Sequence, residues 1–157
     1  MSSRPWQRLA ALACALVLAG CGSFERDWKQ ATLKPAPAGS TADPFAGPWD
    51  GQWTSEKHRL PTGPAGGRLR CLFTQVDAHH YQARFMANWL FFSTSYEVTF
   101  ETKRRAGTLD FRGEHDLGAI FGGVYRYRGH VTPQHFGASF ASGYDYGQFN
   151  LSRPNHQ

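Results

Sequence analysis

From Trp49 to Leu151 apolar and polar positions alternate with a period of two, the spacing at which successive side chains of an extended strand point to opposite faces. Trp49, Gly51 and Trp53 form the first inward set, followed by Leu69, Cys71 and Phe73 after a Pro/Gly-rich loop, then Tyr81, Ala83, Phe85 and Ala87. Phe92, Thr94, Tyr96, Val98 and Phe100 continue the pattern, and the turn Lys103–Gly107 leads to Leu109, Phe111 and Gly113. Beyond a break at Gly118–Gly123 come Tyr125, Tyr127, Gly129 and Val131, then Phe136, Ala138 and Phe140, and finally Phe149 and Leu151. Turn residues recur every 8–15 positions, and no helical period interrupts the series. Eight sequential strands with short connections predict an all-β domain, an eight-stranded antiparallel up-and-down β-barrel that leaves no exposed edge. A two-sheet β-sandwich is the alternative. The opposite face carries Arg84, Glu97, Glu101, Asp110, Arg112, Arg126 and Arg128, which predicts a water-facing surface with cross-strand ion pairs and not the apolar belt of a membrane barrel.

The N-terminal segment follows other rules. Arg4 and Arg8 precede the uncharged run Leu9–Ala19, about half the length that spans a bilayer as a helix. The run ends in Leu18-Ala19-Gly20-Cys21. This resembles the lipobox of bacterial lipoproteins, which implies a signal peptide over residues 1–20 and lipidation of Cys21. By the same resemblance the mature cysteine carries a diacylglyceryl thioether and an amide-linked acyl chain, enough for stable anchoring in a membrane. Gly22 stands where an Asp commonly retains lipoproteins at the inner membrane, so the resemblance implies the outer membrane, with the domain in the periplasm. Residues 21–46 show no sustained period, with at most one helical turn at Phe24–Lys29, and Lys34–Pro44 is rich in Pro, Ala, Gly and Ser. That composition predicts a flexible tether reaching about 25–30 Å, ahead of a barrel domain over residues 47–154.

Charge and cysteine content narrow the function classes. The 17 Lys and Arg residues, less Arg4 and Arg8 of the signal, leave 15 against 12 acidic residues. That excess is too mild for a nucleic-acid binder. Of the three cysteines, Cys14 belongs to the signal and Cys21 to the anchor. Cys71 alone remains in the domain, in phase with Leu69 and Phe73, where a thiol is inert.

Gly47-Pro-Trp49 and Gly51-Gln-Trp53, at the head of an eight-stranded meander, resemble the G-x-W opening of lipocalins and related calycin barrels such as avidins. The resemblance implies that this Trp closes one barrel end beneath an Arg just past the last strand, and Arg153 stands at the matching place. The lipocalin T-D-Y motif has no counterpart.

Candidate chemistry is sparse. His79-His80 and Glu114-His115-Asp116 fall at turns, and neighbouring strand residues point to opposite sides, so no metal site is expected. Gly118–Gly123 lacks the following helix and Lys-Ser/Thr of a phosphate loop. No catalytic set, cofactor motif or nucleic-acid patch stands out, and a non-enzyme is expected. An eight-stranded barrel either fills itself or holds one small ligand. The inward phase makes Trp53, Phe85, Tyr96, Tyr125 and Tyr127 candidate contacts for a small apolar or aromatic ligand. The apolar connection Asn88–Phe92 adds Trp89, as a lid, a contact surface or a strand extension. A filled barrel with a structural or interaction role in the envelope is the alternative, and no protein partner is legible.

Overall fold

A computed structural model describes residues 22–33, 42–89 and 92–155. The expected signal peptide and the Cys21 lipid site lie outside the described residues. The eight strands β1 (Gly47–Leu60), β2 (Gly63–Gln75), β3 (His80–Trp89), β4 (Phe92–Arg105), β5 (Thr108–Asp116), β6 (Val124–Val131), β7 (His135–Ala141) and β8 (Tyr146–Ser152) form one closed antiparallel barrel in sequence order. Closure is made by β1 on β8, with Trp53 opposite Phe149 and Gly51 opposite Leu151. The strands are longer than the periodic core suggests, since the Pro/Gly-rich segment from Gly63 onward is itself strand, paired with the end of β1.

The inward phase is the one the alternation predicts. Trp49, Leu69, Cys71, Phe73, Tyr81, Phe85, Val98, Phe100, Phe136 and Leu151 are buried in a single cluster. Aromatic rings fill it in tilted and edge-to-face pairs, Phe100 on Phe111 at 4.5 Å, Phe111 on Phe136 at 5.1 Å and Phe73 across Phe136 at 5.4 Å, the geometries that ring quadrupoles favour. Two inward glycines are the sockets for these rings. A Cβ on Gly113 would meet the Phe100 ring at 2.6 Å, and one on Gly129 would meet Phe111 at 2.6 Å and the Gly137 carbonyl at 2.2 Å.

The outer face carries the expected ladder of opposite charges. Arg84 faces Glu97 at 3.0 Å and Arg112 faces Glu101 at 2.7 Å, each pair directly across its strands. Arg105–Asp110 at 2.6 Å extends the ladder. Exposed pairs of this kind are worth under about 1 kcal/mol each and chiefly fix register.

The segment read as tether departs from expectation. Residues 22–33 form a helix, α1, of about three turns. Phe24, Trp28 and Ala31 fall at i, i+4 and i+7, one face of a helix, and pack on Leu72 and Met86, which point outward from β2 and β3. Phe24 is fully buried and stacks on Trp28 at 5.9 Å. Arg70 lies over both rings and pairs with Glu25, while Arg84 pairs with Asp27 at 2.6 Å. The hydrogen bonds from Arg70 and Arg84 hold the Glu25 and Asp27 carboxyls below their ordinary pKa. An apolar pair on an otherwise charged sheet face needs a cover, and α1 supplies it. Residues 22–33 are therefore not a free coil. Among the described residues no helix is long and apolar enough to cross a membrane.

Residues 42–46 close one end of the barrel instead of hanging from it. Phe45 is buried and its carbonyl accepts the Trp49 indole N–H at 3.1 Å. The Tyr81 hydroxyl donates to Asp43, and Arg104 spans both residues and covers the Phe45 ring at 4.8 Å. Arg153 lies 3.7 Å over the Trp49 ring and donates to the carbonyls of Pro44, Ala46, Pro48 and Pro133. Burial lowers the pKa of that guanidinium, and its four carbonyl partners offset the cost of desolvation.

Candidate ligand-binding site

The opposite end of the barrel is open. There the ends of β1 to β4, the β5–β6 loop and the β7–β8 loop surround a cavity of about 250 Å³. Its wall is almost entirely apolar and aromatic, with Trp53, Trp89, Tyr96, Tyr125 and Tyr127 among its lining residues. Five of the six candidate ligand contacts thus meet in one place. Phe85 does not line it: that ring is fully buried one layer deeper, against Tyr96 at 5.2 Å and Phe149 at 5.5 Å. The small residue that leaves room is Ala87, on the wall, while the space beside Gly113 and Gly129 is taken by Phe100 and Phe111.

Local structure explains each wall. Asn88 and Trp89 extend β3, with Trp89 paired to Phe92, so this end of the apolar connection is a strand extension. Trp89 meets Trp53 edge-on at 6.1 Å, and the Trp53 indole donates to the Asn88 carbonyl at 3.2 Å. The β5–β6 loop turns through a 3₁₀ turn, Ala119–Phe121, flanked by Gly118, Gly122 and Gly123, all at positive φ, which glycine adopts without strain. That turn places Leu117 and Ile120 on the cavity, Ile120 being 93% exposed. On the adjoining wall the β4–β5 ladder runs only from Glu101–Arg112 to Arg105–Thr108, and toward the open end Tyr96 stacks on His115 at 6.3 Å.

Polar groups are few and specific. Burial raises the pKa values of both Tyr96 and Tyr127, so they are neutral phenols at neutral pH. Burial also raises Tyr125, with the Asp145 charge adding to it. Between Thr54 and Arg59 the register of β1 on β2 slips. Within that bulge Ser55 is buried, accepts the His58 backbone N–H at 2.8 Å and donates to Asp145 Oδ1 at 2.6 Å. The Tyr146 N–H also donates to Oδ1, at 2.8 Å. The His58 ring packs tilted on Tyr144 at 4.9 Å, with its buried Nε2 lacking a hydrogen-bond partner and 4.0 Å from Asp145 Oδ1. Sequence reasoning misses this trio. Ser55 and Asp145 are 90 residues apart, and Ser55 and His58 are hidden in a bulge, so no local spacing announces them.

The other candidate clusters stay apart. His80 caps Asp77 at 2.9 Å at the closed end, Glu114 pairs with Arg126 at 3.6 Å, and no three His, Cys, Asp or Glu side chains among the described residues converge on a metal position. Cys71 is fully buried, and burial pushes its thiol pKa well up. Comparison with models of known families, with curated proteins and with solved structures finds no match to this chain.

Proposed function

We propose that this chain is an exported bacterial lipoprotein, anchored through Cys21 in the outer membrane, whose barrel binds a small apolar or aromatic ligand at its open end. The observation that carries the binding role is the cavity itself. The barrel is packed with rings through the closed end and the middle, yet side chains leave about 250 Å³ unfilled beside Trp53, Trp89 and Tyr96. Space left beside large apolar side chains forfeits their packing energy, and a concave apolar site with a few placed polar groups is what small-ligand recognition uses. The anchor is supported by the basic start, the apolar run and the Leu18–Cys21 motif acting in register. With lipid on Cys21, α1 begins at the next residue, so the barrel rides against the bilayer surface on its β2–β3 side. The stacking of Arg153 on Trp49 supports the calycin-like resemblance at the closed end.

Two experiments test this. Cys21→Ser should abolish lipid labelling and membrane retention; a variant retained as well as the wild type refutes the anchor. For binding, indole should shift the amide resonances of the cavity strands, and Ala87→Leu, which fills the wall, should weaken it about tenfold or more, as expected for overpacking a fitted site. Equal shifts in the variant refute the site and favour a structural barrel.

A further inference from the structure

If the cavity is a ligand site, as proposed above, the polar trio at its mouth specifies more than an apolar guest. Asp145 is 8% exposed. All of its side-chain contacts, from Ser55, from the Tyr146 N–H and from His58, fall on Oδ1. Oδ2 has no hydrogen bond among the described residues. Lys57, one residue before His58, does not neutralise it: its ammonium is given to the Tyr144 carbonyl at 2.6 Å and lies 5.6 Å over that ring. Oδ2 is not sealed from solvent, and Asp145 lines the cavity, so this oxygen is free to accept from a cationic donor that enters. Beside it, His58 Nε2 is a buried polar atom without a hydrogen-bond partner. His58, Tyr144 and Asp145 line the same cavity as Trp53, Trp89 and Tyr125, rings whose faces favour cations.

We propose that the cavity takes a small aromatic or apolar molecule bearing a primary ammonium group, with the ammonium held between Asp145 Oδ2 and His58 Nε2 and the apolar body among the rings. An ammonium carries three donors and no acceptor. It therefore satisfies both atoms at once and supplies the missing positive charge, which a neutral hydroxyl does not. The competing explanation, that Asp145 only pins the β1 bulge to the β7–β8 loop, accounts for Oδ1, leaves Oδ2 to solvent and gives the buried His58 Nε2 no partner.

Asp145→Asn separates the two, because the side-chain carbonyl keeps the Ser55 and Tyr146 bonds while the Oδ2 position becomes a neutral donor. The mature chain in zwitterionic lipid nanodiscs, with empty nanodiscs as blank, is titrated calorimetrically with 2-phenylethylamine and with 2-phenylethanol. The amine should bind at least about tenfold more tightly than the alcohol, the worth of one hydrogen bond to a buried charge. Asp145→Asn should erase that preference while melting near the wild-type temperature. Equal affinities in the wild type overturn the inference, whether or not the variant is stable, and leave the cavity standing as an apolar site. An unchanged preference in a folded Asp145→Asn protein also overturns it. Binding of neither probe overturns it as well, and the ligand-site reading is then decided by the indole test.

Discussion

Removing the Phe24 ring should free α1 from the barrel without unfolding the barrel. Phe24 is fully buried between Trp28, Leu72 and Met86, with the Arg70 and Arg84 guanidinium groups 5.4 and 5.8 Å from its centre. A buried phenylalanine hides on the order of 150–250 Å², which at about 25 cal/mol per Å² is roughly 4–6 kcal/mol, an upper bound set by the extended-chain reference. Core Phe→Ala replacements cost about 3–5 kcal/mol. Here the loss falls on the docking equilibrium of one helix, because the ring sits outside the barrel and touches none of its interior. A loss of about 3–4 kcal/mol should raise hydrogen exchange of the α1 amides by roughly 100- to 1,000-fold. The amides of β5–β7, on strands that α1 does not touch, should keep their protection. Exchange of the Phe24→Ala protein followed by mass spectrometry reads both regions in one experiment. A rise below tenfold in α1, or an equal loss in β5–β7, refutes the account of α1 as a separately docked element.

Three further outcomes are expected at the closed end and the buried phenols. Arg153→Ala removes a cation from the Trp49 face and four carbonyl hydrogen bonds, and should lower the melting temperature by roughly 10 °C. Arg153→Lys should recover less than half of that, since an ammonium cannot reproduce the planar fork of donors; full recovery would show that charge alone matters. Tyr81, buried and donating to Asp43, has its pKa pushed up to about 12. Its folded value lies above the unfolded one near 10, so its contribution to stability is whole below pH 10 and is lost as pH rises through 12. Absorbance titration should find Tyr81, Tyr96 and Tyr127 still protonated at pH 11 in the folded protein, and ionisation of all six tyrosines by that pH would contradict the burial assigned to them.

The barrel was legible because its two faces differ so consistently. Trp49, Phe73, Phe85 and Phe136 keep one phase while Arg84, Glu97 and Arg112 keep the other, and a one-residue slip would put a charge in the core. Helix α1 was not legible from its own segment, because Phe24, Trp28 and Ala31 make a stripe too short to stand out beside a Pro/Ala-rich stretch. The informative signal lay elsewhere, in Leu72 and Met86, two apolar side chains on the charged face. The site was half legible. Alternation finds inward rings such as Tyr96 and Tyr127 but says nothing of depth, so Phe85 looks equivalent to them although it lies beneath the cavity. Ser55 and His58 escaped because a β-bulge breaks the period that would have oriented them, and Asp145 because it sits in the β7–β8 turn, outside any period.

The central claim is that the open end of this barrel is a ligand site. Native mass spectrometry of the mature protein purified from its own host tests it most directly. The account predicts a retained small molecule that dissociates from the wild type on activation, carries a protonatable amine, and is missing from Ala87→Leu. A wild-type protein that appears only at the mass of its lipidated chain, and that takes up neither added indole nor an added aromatic amine, would contradict it.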